Sequence, residues 1–268
     1  MLRIGAVLLF FVAGTVGLDA GQPLFVPHGA TEMGVAFSAT ATPGHWSCFN
    51  NQALLTDATG ISVSASLENR FLLSGLSSKA LSAVIASTPV PLGFVATHYG
   101  NGDYYCIFTG LCSAVTLMKG MSLGVQVDYI SERSAGDYRD VSNVTFEAGV
   151  TLTLSSSLTA GMHLSNPLKP LNSLPSAVDA AIQWRQSDDL ILTLGSSKGS
   201  REPLSVQCGI SWRILDRLTI RSGYMSSPSA FSFGLGVRTG SLQTDAGFLV
   251  NSRTGLTSSV SLIWTVRE

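Results

Sequence analysis

Residues 204–224 read LSVQCGISWRILDRLTIRSGY, and the alternation in that stretch decides how the rest of the chain is read. Leu204, Val206, Cys208, Ile210, Trp212 and Ile214 are apolar, while Ser205, Gln207, Gly209, Ser211 and Arg213 between them are small or polar. Strict alternation is the period of a β-strand whose two faces meet different surroundings. A tight turn at Leu215-Asp216-Arg217 follows, and Leu218, Ile220 and Tyr224 resume the pattern against Thr219, Arg221 and Gly223. The same hairpin pattern recurs through most of the chain with no helical period to cover it. The expectation is that the apolar face meets lipid and the polar face lines a lumen.

Composition agrees with that expectation. Of 268 residues, 45% are hydrophobic and only 12% charged, with a mean hydropathy of +0.32. Soluble domains carry roughly 25% charged residues, so this chain is poor in the groups that solvate a surface. Beyond the first two dozen residues no apolar run approaches the roughly 20 residues that a spanning helix needs. Many short alternating strands reconcile high hydropathy with short runs. A net charge of -1 gives no electrostatic case for nucleic acid.

The first residues stand apart. Arg3, an apolar run over 4–12 and Gly17-Leu18-Asp19-Ala20 have the form of a signal peptide, cut after Ala20. Residues 1–20 are therefore set outside the fold. Residues 21–58 alternate poorly and form a plug-like N-terminal segment, and 59–268 form the barrel. Within the segment, His45, Trp46, Asn50 and Asn51 are the plug candidates, because aromatic and amide side chains suit a mixed interior.

Strands are expected near 60–69, 78–88, 91–100, 104–117, 121–132, 143–154 and 157–165. A second set lies near 176–186, 189–197, 204–214, 217–225, 230–239, 242–251 and 256–266. The fold class is thus all-β: a transmembrane antiparallel barrel of about fourteen strands, each of a length that crosses a bilayer when tilted. Turns after even strands are short, as at Lys119-Gly120, Asp216 and Gly240-Ser241, whereas residues 133–142, 166–175 and 197–203 make longer polar loops. Short turns on one side and longer loops on the other is the outer-membrane pattern, and it places the protein in the bacterial outer membrane with lipid as its first partner.

Charges belong inside such a barrel, since an Arg on the lipid face costs about 2–4 kcal/mol at mid-bilayer. Asp128, Glu147, Asp179, Arg185, Arg213, Arg221, Arg238 and Asp245 all fall on the inward register and are expected to pair across the lumen. Trp184, Trp212, Trp264, Tyr129 and Tyr224 are expected at the interfaces. Four cysteines match no metal or redox motif, and Cys106 and Cys112, six residues apart on one strand, are too distant for each other. The four histidines show no metal-ligand spacing, and a pairing of His163 with one of so many serines carries no catalytic signal. No enzyme activity and no cofactor is expected.

Several short motifs carry a family resemblance. Asn50-Asn51-Gln52-Ala53-Leu54 resembles the Asn-Pro-Ala-Gly-Leu element of FadL-like barrels, with Gln52 where that element has proline. Gly29-Ala30-x-x-x-Gly34-x-Ala36 looks like the run before that element in the Bacteroidota PorV/PorQ branch. His163-Leu164-Ser165-Asn166-Pro167, residues 218–224 and Phe231-Ser232-Phe233-Gly234-Leu235-Gly236 add later matches. The resemblance implies a barrel of about fourteen strands with an internal N-terminal segment. In the PorV-like branch it implies a component of type IX protein secretion, docking or transferring exported proteins or other outer-membrane proteins. The alternative it implies is a FadL-like gated channel for small hydrophobic compounds.

Overall fold

A computed structural model describes residues 29–86, 90–102, 104–134, 140–167, 176–200 and 202–266. The expected signal peptide, residues 21–28 and the loop tips at 135–139 and 168–175 lie outside the described residues. Two short helices come first, α1 (Ala30–Gly34) and α2 (Ser47–Asn50), followed by a 3-10 stretch, Gln52–Asp57. Fourteen strands follow among the described residues. They are β1 (Ile61–Asn69), β2 (Ser77–Ile85), β3 (Leu92–Gly100), β4 (Tyr104–Met118), β5 (Met121–Ser134), β6 (Val141–Thr153) and β7 (Leu158–Ser165). The second half comprises β8 (Ala177–Arg185), β9 (Leu190–Gly199), β10 (Ser205–Leu215), β11 (Leu218–Ser226), β12 (Ser229–Thr239), β13 (Leu242–Asn251) and β14 (Gly255–Val266).

Each strand pairs antiparallel with its neighbour in sequence, and β1 pairs with β14 over nine residues, so the sheet closes into a barrel of fourteen strands. Closure leaves no strand edge with unpaired backbone groups, which is the condition for a sheet to sit in lipid.

The hairpin of residues 204–224 becomes β10 and β11, in register from Gln207↔Met225 to Arg213↔Thr219. Val206, Cys208, Ile210, Trp212 and Ile214 face outward and are exposed, as are Phe231, Phe233 and Leu235 on β12 and Val260, Leu262 and Trp264 on β14. An exterior paved in this way is costly in water and suited to hydrocarbon. Trp184, Trp212 and Trp264 all lie within three residues of the end of β8, β10 and β14. They form an outward ring at the short-turn rim, the level at which amphipathic rings partition to a membrane interface.

The inner face divides in two. On β2 to β5, Ala80, Val84, Val95, Cys106, Phe108, Cys112, Ala114 and Ile130 join Trp46, Cys48, Phe49 and Leu55 in one buried apolar cluster. Elsewhere the inner face carries hydroxyls, amides and charges, among them Ser64, Ser232, Ser261 and Gln207.

Candidate functional site

The interior is occupied by the chain's own residues 29–57, whose first part, from Ala30 to Ser38, runs round the inner wall in the reverse of strand order from β14 to β9. The Ala30 N–H donates to Ser261 Oγ of β14 (2.9 Å), and Thr31 Oγ1 donates to Asp245 Oδ2 of β13 (3.1 Å). The Gly34 carbonyl accepts from Ser232 Oγ of β12 (3.1 Å), and Ser38 Oγ lies 2.5 Å from Thr193 Oγ1 of β9. Asn51 Nδ2 donates to the Val150 carbonyl of β6 (3.1 Å), and Thr56 Oγ1 to Ser122 Oγ of β5 (2.9 Å). Between α1 and the next contact the backbone turns through Ala36 and Phe37, both with positive φ (52° and 60°). Left-handed backbone at two non-glycine residues in succession is a strain that the packing around it must offset. Buried Ala36 against Met225 and Ala230 supplies part of that packing.

The wall is shaped to admit this segment. Where its backbone passes, the inward residue of the strand is a glycine, and three such pairs are direct register partners: Gly124↔Gly149, Gly209↔Gly223 and Gly234↔Gly247. A Cβ on Gly223 would meet the Val35 carbonyl carbon at 2.7 Å and the Ala36 nitrogen at 2.8 Å, and one on Gly247 would meet the Ala30 oxygen at 2.5 Å. On Gly124 it would strike the Gln52–Ala53 backbone, and on Gly149 the Asn51 side chain. Backbone atoms cannot yield as a flexible side chain does, so these positions admit only hydrogen if the segment is to stay.

The four plug candidates have different places. Trp46, Asn50 and Asn51 are buried, whereas His45 is half-buried and lines a cavity of about 500 Å³ at the short-turn mouth, with Arg238 and Gln243. Trp46 packs on Phe49 (ring centroids 5.9 Å), and Phe49 on Phe108 of the wall (6.5 Å). Asn51 caps the 3-10 stretch: its Oδ1 accepts from the Ala53 N–H (3.1 Å), while Nδ2 also donates to the Thr40 carbonyl (2.9 Å). Gln52 uses its amide to hold the wall, Nε2 donating to Glu147 Oε2 (2.7 Å) and to the Cys48 carbonyl (3.0 Å).

The charges correct the expectation of cross-lumen pairing. Arg221 and Asp245 meet in the interior at 2.8 Å, but Arg185, Arg213 and Arg238 sit at strand ends and are exposed. Arg213 pairs with Asp189 of the β8–β9 turn (2.7 Å), and Arg238 with the Gln243 amide oxygen (2.7 Å). Alternation assigns a face and says nothing of depth, so three arginines read as luminal belong to the rim. On β5 to β8 the acidic side chains gather instead around one histidine. His163 Nε2 lies 3.1 Å from Glu147 Oε2, and its Nδ1 lies 3.7 Å from Asp179 Oδ2. Asp128 takes a hydrogen bond from Gln126 Nε2 (2.8 Å). Both ring nitrogens of His163 thus face carboxylates, while Ser165 Oγ is directed to the Ala177 carbonyl.

Glu32 of α1 was not among the sequence candidates, yet it is buried beside this machinery with one carboxyl oxygen unpartnered. Burial pushes its carboxyl from 4.5 up to about 8, with Asp245 adding to the rise and a backbone hydrogen bond, Arg221 and Asn50 opposing it. Gln52 was read only as a departure from a motif. The register positions of the inward glycines are readable from the alternation, but no local pattern marks them as seats for the segment.

The fold has counterparts among known structures. The Pseudomonas putida toluene transporter TodX superposes with a TM-score of 0.67, over 93% of this chain and 98% of its own, at 10% identity. Its fold is FadL-like. A Pseudomonas aeruginosa FadL homologue gives 0.63 over 88% of this chain and 98% of its own, at 12% identity. The CymD monoaromatic hydrocarbon channel gives 0.65 over 91% and 99%, also at 12% identity. At such identities the FadL-like agreement is one of fold. No protein-family model matches the chain, and no curated protein does, so the PorV/PorQ branch rests only on the short motifs of the sequence.

Proposed function

We propose that this protein is an outer-membrane channel for small hydrophobic compounds, exported by residues 1–20 and closed by a plug formed by residues 29–57. The observation that carries the reading is the division of the inner wall. Trp46, Phe49 and Leu55 of the segment fill the apolar side formed by β2 to β5, and an apolar compound would favour the same surface. The polar side holds the segment by hydrogen bonds that a partial displacement can break one at a time. FadL-like neighbours that include a toluene transporter and a monoaromatic hydrocarbon channel support this reading over docking of exported proteins.

Expression in the outer membrane of a Gram-negative host tests the proposal. The protein should raise the initial uptake of a labelled monoaromatic hydrocarbon above that of cells without it. Trp46→Ala, which empties the centre of the apolar cluster, should raise it severalfold further. Uptake unchanged by both forms, with exported proteins co-purifying in stoichiometric amount, would replace the channel by the docking role.

A further inference from the structure

Two sulfurs crowd the space left by the missing side chain of Gly93 in β3. A Cβ built there would lie 2.5 Å from Cys112 Sγ and 2.6 Å from Cys48 Sγ. Gly93 and Cys112 are direct register partners on β3 and β4, and Cys48 comes down on them from α2. With both sulfurs within 2.6 Å of that one point, they lie no more than about 5 Å from each other. Both are buried. The other two cysteines are placed apart from this pair: Cys106 lies toward the far end of β4 and Cys208 faces outward on β10.

We propose that Cys48 and Cys112 are joined as a disulfide in the exported protein, fastening α2 to the barrel wall. The inference rests on the export reading for its compartment, because disulfides persist outside the reducing cytosol. Two thiols give up two protons and two electrons, and a disulfide-class oxidant takes the electrons and leaves as two thiols. Cys48 as thiolate attacks the oxidant's disulfide and expels one of its sulfurs as a thiol. Cys112 as thiolate then attacks the Cys48 sulfur of the mixed disulfide and expels the other. Burial of both sulfurs places this exchange before the segment seats, after which the bond is out of reach of external thiols. The loop it closes contains β1 to β3, so the link limits how far α2 can leave the wall while leaving α1 free to lift.

Protein from the outer-membrane fraction, denatured with excess maleimide and no reductant, should carry label on Cys106 and Cys208 only. A non-reducing digest should yield a peptide linking Cys48 to Cys112, and reductant should make all four thiols available. In folded barrels, hydrogen exchange of residues 44–57 should be faster by on the order of tenfold or more in Cys48→Ser and Cys112→Ser, and unchanged in Cys208→Ser. Wild type unfolded, reduced with a phosphine and refolded in its presence gives the same comparison should a serine variant fail to assemble. Four freely labelled thiols in unreduced protein would overturn the proposal, and so would a linked protein whose exchange matches that of the unlinked forms. Neither readout involves transport, so a barrel that transports nothing still gives a clear answer here.

Discussion

Seating of residues 29–57 should depend on pH through Glu32. The side chain is fully enclosed, and burial is the largest cause of its rise from 4.5 to about 8. Arg221, whose guanidinium is engaged by Asp245 at 2.8 Å, opposes that rise without cancelling it. A carboxyl that holds its proton more tightly when seated than in water favours the seated state most below pH 4.5. Between 4.5 and 8 the displaced segment releases a proton that the seated one retains, and seating weakens by about 1.4 kcal/mol per pH unit. The whole window amounts to about 5 kcal/mol, and above it the dependence ends. Glu32→Gln keeps the shape and removes the proton. Hydrogen exchange of residues 29–57 in detergent-held barrels, corrected for intrinsic rates, measures the opening equilibrium directly. From pH 5 to 8 that equilibrium should rise roughly four-hundredfold in the wild type. The Gln form should lose most of that slope and match the protonated wild type at low pH. A flat wild-type profile, or a slope that the substitution leaves intact, would refute the assignment to Glu32.

Other perturbations address the wall. Gly223→Leu puts a side chain where the Val35–Ala36 backbone lies, so the segment should become protease-sensitive while the barrel keeps its heat-modifiable mobility on a gel. Arg221→Ala leaves the buried Asp245 carboxylate without its guanidinium and should cost about 3–5 kcal/mol in a urea titration in vesicles. The double variant with Asp245→Ala should cost less than Arg221→Ala alone, which distinguishes an unpaired charge from lost packing. Cys208→Arg, mid-strand on the outer face, should cost about 2–4 kcal/mol, whereas an Arg replacing Trp212 near the rim should incur a charge penalty of only about 0–1 kcal/mol. Equal charge penalties at the two depths would contradict the placement of the bilayer.

The alternation of β10 and β11 was enough to read the wall, because lipid imposes a period of two on every strand and tolerates few exceptions. Strand limits were legible for the same reason: the expected 242–251 coincides with Leu242–Asn251. The interior was less legible. Arg213 and Arg221 occupy the same register face, yet one pairs with a turn carboxylate and the other with Asp245 in the lumen, and only position along the strand separates them. The seat of Cys48 against Cys112 was not legible either, since it joins α2 to β4 by a contact that no local pattern encodes. Trp46 and Asn51 could be picked out because their side-chain types are unusual for a segment between glycine-rich turns. Glu32 could not, because a single carboxylate in a short helix looks like a solvated residue until the wall around it is known.

Closure between β1 and β14 also governs the order of assembly. The Ala30 N–H is bonded to Ser261, 231 residues further along, and the glycines that receive residues 34–36 lie on β11 and β12. The segment is therefore made long before the surface it fits. Its seat on β14 exists only once the last strand has formed. The β1–β14 hydrogen bonds involve none of its atoms, so a chain begun at residue 59 behind an export signal should still close into a barrel. If that shortened chain closes, seating is a step separate from closure, and defects in it would leave a complete but unfilled wall.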